Sequence, residues 1–124
     1  MSETFPISSG RFDLLITAGS TFPNAFADAE FFPTDNNGQP FSLTDWRALL
    51  QIRDAATGEL ALEVTPTVDD VTNSVKFSIS ADDTALLVNP IYVWACELKQ
   101  DHTHKVMTLA RGLVHVEPEV VIED

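Results

Sequence analysis

The residues of this chain best equipped for chemistry lie close together: His102-Thr103-His104, with Asp101 beside them and His115 further along the same hairpin. Two imidazoles at alternating positions of a strand could share a metal ion. A working site needs three or four ligands held by further hydrogen bonds. This cluster falls at a hairpin tip, where solvated side chains are expected, so neither a metal nor a cofactor is expected. Cys96 could be a nucleophile if an imidazole lowered its pKa. It alternates in step with Trp94 and Leu98, however, which turns it inward as a small hydrophobe. Asp69-Asp70 and Asp82-Asp83 could pair as acid and base, but that work needs a cleft with shifted pKa values. A turn accounts for the first pair and a helical first turn for the second. Asp35-Asn36-Asn37-Gly38 lacks the alternate oxygen ligands and distal glutamate of a calcium loop; it reads as a tight turn. There is no phosphate-binding glycine loop, no G-x-S-x-G and no zinc-type cysteine pair. No catalytic residue is expected, and no enzyme.

The elements that would carry these groups are strands. In the segment 46–53, Trp46, Ala48, Leu50 and Ile52 share one face. After Ala55-Ala56-Thr57-Gly58, Leu60, Leu62 and Val64 share a face again, so the two runs predict a hairpin. A five-residue loop, 54–58, sets Ile52 opposite Leu60, Leu50 opposite Leu62 and Ala48 opposite Val64, with Arg53 facing Glu59. A four-residue loop would set every apolar residue against a polar one. Val75, Phe77 and Ile79 alternate next, and Ser80 is placed to cap one or two helical turns within Ala81-Asp82-Asp83-Thr84-Ala85-Leu86-Leu87, stopped by Asn89-Pro90. Strand 91–99 turns Tyr92, Trp94, Cys96 and Leu98 inward. A five-residue loop, 100–104, then pairs Trp94 with Ala110 and Tyr92 with Gly112, large against small. The first third offers Phe12–Thr17 and 25–32 as strands. About seven short strands and one helical turn at this spacing predict an all-β fold, an antiparallel two-sheet β-sandwich of immunoglobulin-like type.

The 124 residues suit one domain, 1–124, with short flexible ends at about 1–10 and 118–124. Hydrophobic residues make up 44% and charged ones 21%, a globular balance. Seven Lys and Arg stand against 19 Asp and Glu, for a net charge of −12. That excludes nucleic acid as a natural partner, since phosphate contacts need cations, and it disfavours anionic membranes. The N-terminal residues carry no basic and apolar leader pattern, and no apolar run approaches the roughly 20 residues of a membrane span. A soluble protein made in a cytoplasm is expected.

One pattern exceeds what a solvent-facing sheet requires. Ile91, Val93, Ala95, Met107, Leu109 and Leu113 fall on the non-core parity of the last hairpin, where polar residues are usual. Either the chain's own first third covers them, or a partner does. Ile91, Val93, Met107, Leu109 and Leu113 are therefore the candidate partner interface.

In order and spacing, several motifs run together over about residues 14–121. They are Ala18-Gly19-Ser20-Thr21-Phe22, Asn37-Gly38-Gln39-Pro40-Phe41-Ser42-Leu43-Thr44-Asp45-Trp46, Gln51-Ile52-Arg53 and Ser80-Ala81-Asp82-Asp83-Thr84-Ala85. The series closes with Glu97-Leu98, Arg111-Gly112 and Val114-His115-Val116-Glu117-Pro118-Glu119-Val120. This spine resembles a small β-domain of phage tails, similar to the N-terminal domain of upper baseplate proteins, with its "G-x-P-x-D-L-T-G-W" turn, "Q-V-R" strand and "L-T-A-E-E-T-A" helical turn. The chain departs from that pattern with Ser42 for the Asp, Asp45 for the Gly, and His102-Thr103-His104 where an Asp-Gly turn is usual. The resemblance implies a virion structural protein of a tailed bacteriophage, an adaptor linking tail or baseplate to fibre or receptor-binding parts. The implied partners are other virion proteins, with a homo-oligomer or ring within the particle, after synthesis in the host cytoplasm. A capsid decoration (cement) protein is the alternative, and a glycan-binding module a more distant one, because Trp46, Tyr92 and Trp94 all alternate inward.

Overall fold

A computed structural model describes residues 10–24, 28–33, 39 and 42–118. Among them are nine strands and one helical turn: β1 (Gly10–Arg11), β2 (Leu14–Thr17), β3 (Ala29–Phe31), β4 (Trp46–Asp54), β5 (Leu60–Val64), β6 (Thr67–Asp69), β7 (Ser74–Phe77), α1 (Ala81–Thr84), β8 (Ile91–Gln100) and β9 (Val106–Glu117). The fold is all-β, with two sheets. The larger runs β1-β9-β8-β4-β5, with β2 following β1 along the same edge of β9; the smaller runs β3-β7-β6. The sequence pattern implied antiparallel sheets only. Instead β1 and β2 lie parallel to β9, with Leu14 beside Val114 and Ile16 beside Val116. Parallel neighbours need a long connection, and here most of the chain separates the two edges. The turn cluster at 35–38 lies outside the described residues, as do 25–27 and the outermost ends.

Alternation decides which face is core. On the central strands Leu50, Ile52, Tyr92, Trp94, Cys96 and Leu98 are all nearly inaccessible, and each large side chain so buried contributes on the order of 1.5–3 kcal/mol. From the smaller sheet come Val75 and Phe77, with Ile79 just beyond. Rings join the sheets: Phe31 stacks on Phe77 at 5.9 Å and on Trp94 at 6.3 Å, and Phe22 stacks on Phe77 at 6.0 Å. The Ser80 hydroxyl accepts from the Asp83 amide at 3.2 Å and starts α1, as its sequence implied. Buried Thr84 then ties α1 to the 18–20 turn, its Oγ1 lying 2.8 Å from the Ser20 carbonyl and accepting from Gly19 N–H.

Both hairpin registers differ from expectation by the same device. Asp54 N–H donates to the Glu59 carbonyl at 2.9 Å, so the first loop is 55–58 and has four residues. Asp54 itself shapes it, Oδ1 accepting from the amides of Ala56 and Thr57 at 2.8 and 2.9 Å, and Gly58 supplies the left-handed backbone (φ 77°). Such a loop sets Arg53 against Leu60. A bulge at Ala61 then adds one residue and restores apolar parity, with Ile52 opposite Leu62 and Leu50 opposite Val64. Leu60 consequently points outward, and Arg53 donates to the Gly58 carbonyl and to Gln51, not to Glu59. The last hairpin repeats this. Gln100 N–H bonds the Lys105 carbonyl, Glu97 pairs with Thr108, and a bulge at Leu109 brings Cys96 opposite Ala110, Trp94 opposite Gly112 and Tyr92 opposite Val114.

Candidate functional site

The histidines come apart in three dimensions. His102 and His104 lie exposed between β8 and β9, while His115 pairs with Ile91 at the opposite end of the hairpin, about 30 Å away at roughly 3.3 Å per residue. Asp101 is engaged by Arg47 at 2.9 Å. Among the described residues, no group of three or more His, Cys, Asp or Glu is placed to hold a metal. Cys96 is fully buried, and burial, helped by the charge of Glu97, pushes its thiol up to about 12, so it stays protonated. Asp69 accepts from the amides of Val71 and Thr72, which hold its carboxyl below the ordinary range; the same kind of turn, made by Thr57 and Ala56, lowers Asp54. Asp82 and Asp83 sit in the first turn of α1. These carboxylates shape local backbone.

Two departures from the phage-domain pattern fall on unusual backbone. Asp45 has φ 69° and His104 φ 57°, left-handed conformations that favour glycine. The first is the position where the resembled domains carry Gly before Trp, and the second lies in the loop where they carry Asp-Gly.

The remaining candidate is the outer face of the larger sheet. The described part of the first third does not cover it: β1 and β2 join its edge, and β3 lies in the other sheet. Cross-strand rows place Leu15, His115 and Ile91 together, then Leu113, Val93, Arg53 and Leu60, then Arg111, Ala95, Gln51 and Glu63. Leu15 is 59% exposed, Leu60 47%, Ile91 45% and Val93 38%. Small Ala95 leaves an open hollow of about 280 Å³ between Leu49, Gln51, Arg53, Val93 and Glu97.

Of the five expected interface residues, Ile91 and Val93 are exposed on this face and Leu113 is half-buried. Met107 and Leu109 are not on it. The bulge reverses parity below Ala110, so Met107 stands opposite Leu98 on the core side and Leu109 is 3% exposed within the core. Sequence reasoning missed Leu15 and Leu60. The signal for the bulges was available in adjacent inward residues, Ala61-Leu62 and Leu109-Ala110, since a regular strand can bury only one of two neighbours. No family model matches the chain, and no match is found among curated proteins.

Proposed function

We propose that the chain is a non-catalytic structural protein of a tailed-phage particle, an adaptor in tail or baseplate that holds a neighbouring protein through the outer face of the larger sheet. The observation that carries the docking role is the set of uncovered apolar side chains in two adjacent rows, Leu15 with Ile91 and Val93 with Leu60, on a sheet whose other face is already the core. Monomeric proteins rarely leave such a patch to water. The phage setting rests on the resemblance. It gains support from the left-handed backbone at Asp45, where the resembled domains have Gly, and from the Ser80-capped turn.

The finer fold reading, an immunoglobulin-like sandwich, is supported by strand order and by one side chain. A parallel first strand beside the last, with β8, β4 and β5 following, and β3-β7-β6 opposite, suits that topology. Tyr92, at the start of β8, accepts a hydrogen bond on its hydroxyl from the Asn89 amide at 2.9 Å, the local contact of a tyrosine corner.

The test is to purify particles from a lysate by density gradient and quantify this chain by mass spectrometry. A fixed copy number per particle, with antibody labelling at the tail, is the expected result. Labelling over the head would favour capsid decoration instead. A chain that stays in the soluble fraction would refute the virion reading.

A further inference from the structure

Among the described residues, only β1 and β2 run parallel to a neighbour, and that neighbour is β9. Gly10 lies beside Ala110 and Thr17 beside Glu117. The chain therefore enters this seam at one end and leaves β9 at the other, with Gly10 and Glu117 about 23 Å apart at roughly 3.3 Å per residue. Tension applied at those two points runs along the strands and across the hydrogen bonds between them. Every bond of the seam is then loaded together, in shear. An antiparallel hairpin pulled at its open ends loses its bonds one at a time instead.

We propose that this seam is a shear clamp, by which the domain carries tension that enters along β1 and leaves along β9. The proposal builds on the adaptor reading and names the load that such a link withstands. Backbone bonds bracket β2: Phe12 N–H donates to the Arg111 carbonyl at 2.8 Å and Ala18 N–H to the Glu117 carbonyl at 2.9 Å. At the break between β1 and β2 a side chain takes over, Asp13 Oδ1 accepting from the Leu113 amide at 3.0 Å. The Phe12 carbonyl accepts the Trp94 indole N–H at 2.7 Å, which bolts the seam to β8 on the far side of β9. Packing then locks the register, because Ile16 and its neighbour across the seam's core side, Val114, are both fully buried. A slip of one residue would turn Ile16 outward, so the smallest slip that keeps parity is two residues, about 7 Å. That slip takes Ile16 from its place in the core. It also moves the Phe12 carbonyl off Gly112, the one position in β9 without a Cβ, and onto Ala110.

Single-molecule force spectroscopy on the full chain tests this in two geometries. Handles on the N-terminal and C-terminal flanks load the seam in shear. Handles on the N-terminal flank and on His102→Cys, an exposed position at the hairpin tip, peel β1 and β2 from β9 instead; Cys96 is buried and does not compete. At equal load the folded lifetime should be at least about tenfold longer through the two flanks, because several bonds must break together. Asp13→Ala should shorten that flank-to-flank lifetime by about tenfold, the effect of one hydrogen bond to a charged group. Asp69→Ala removes the same kind of bond from the turn between β6 and β7, outside the seam. It should cost similar stability in urea and leave the flank-to-flank lifetime nearly unchanged. Circular dichroism confirms that each variant folds. Equal lifetimes in the two geometries would overturn the inference, as would variant lifetimes that simply follow stability in urea. The force measurements use the isolated chain, so their failure leaves the virion reading standing, and a chain missing from particles leaves the clamp standing.

Discussion

Gly112 is where the start and the end of the chain close on each other. A Cβ built there would collide with the Phe12 carbonyl oxygen, the same atom that accepts the Trp94 indole N–H at 2.7 Å. Asp13 completes the junction by accepting from the Leu113 amide at 3.0 Å. Glycine in a strand interior is otherwise unfavourable, and here close backbone approach supplies its reason. Gly112→Ala should therefore cost about 1–3 kcal/mol in urea unfolding and shift Trp94 fluorescence, while His115→Val, outward on the same strand, should change neither. Cys96 sets a second expectation. Its thiol ionises near 9.0 in the unfolded chain and only at about 12 when folded. The folded state's advantage is thus complete below pH 9 and is lost as pH rises toward 12, up to roughly 4 kcal/mol. Cys96→Ala should lose some stability at pH 8 through a small cavity, and the gap to the native protein should close or invert by pH 10.5. A constant gap would mean that the buried thiol does not govern the alkaline limb.

At the scale of elements, each hairpin combines a four-residue loop with one extra residue in its returning strand. The loop alone would turn the apolar residues outward, because side chains alternate with period two; the bulge reverses that. Parity below Ala110 is consequently opposite to that above it, which separates two leucines that look equivalent in sequence. Leu109→Glu should prevent folding or cost more than about 3 kcal/mol, since a charge would be buried without a counterpart. Val93→Glu, on the exposed face, should fold with nearly native circular dichroism and a stability within about 1 kcal/mol of the native protein. If both variants fold equally well, the bulge at Leu109 is misplaced.

At the scale of the molecule, 19 Asp and Glu outweigh seven Lys and Arg for a net charge of −12. That excess of acid repels itself in the compact state, more so when unscreened. Raising salt from 10 to 150 mM should therefore raise the melting temperature by a few degrees. An unchanged or falling value would show that paired contacts such as Arg47–Asp101 outweigh the general repulsion.

The all-β character, the inward sets Leu50/Ile52 and Tyr92/Trp94/Cys96/Leu98, and the Ser80-capped turn were legible because alternation and capping are local, carried by a few consecutive residues. The hairpin registers were not, since a loop and a bulge each shift parity by one and only their sum shows in the apolar pattern. Nothing local to 10–17 foretells that β1 and β2 run parallel to β9, or that the Phe12 carbonyl rests on Gly112; these are contacts a hundred residues apart in the chain. The candidate face was half legible for the same reason. Ile91 and Val93 followed from alternation alone, whereas Leu15 and Leu60 joined them, and Met107 and Leu109 left them, only once strand order and a single inserted residue had decided which side of the sheet each side chain would take.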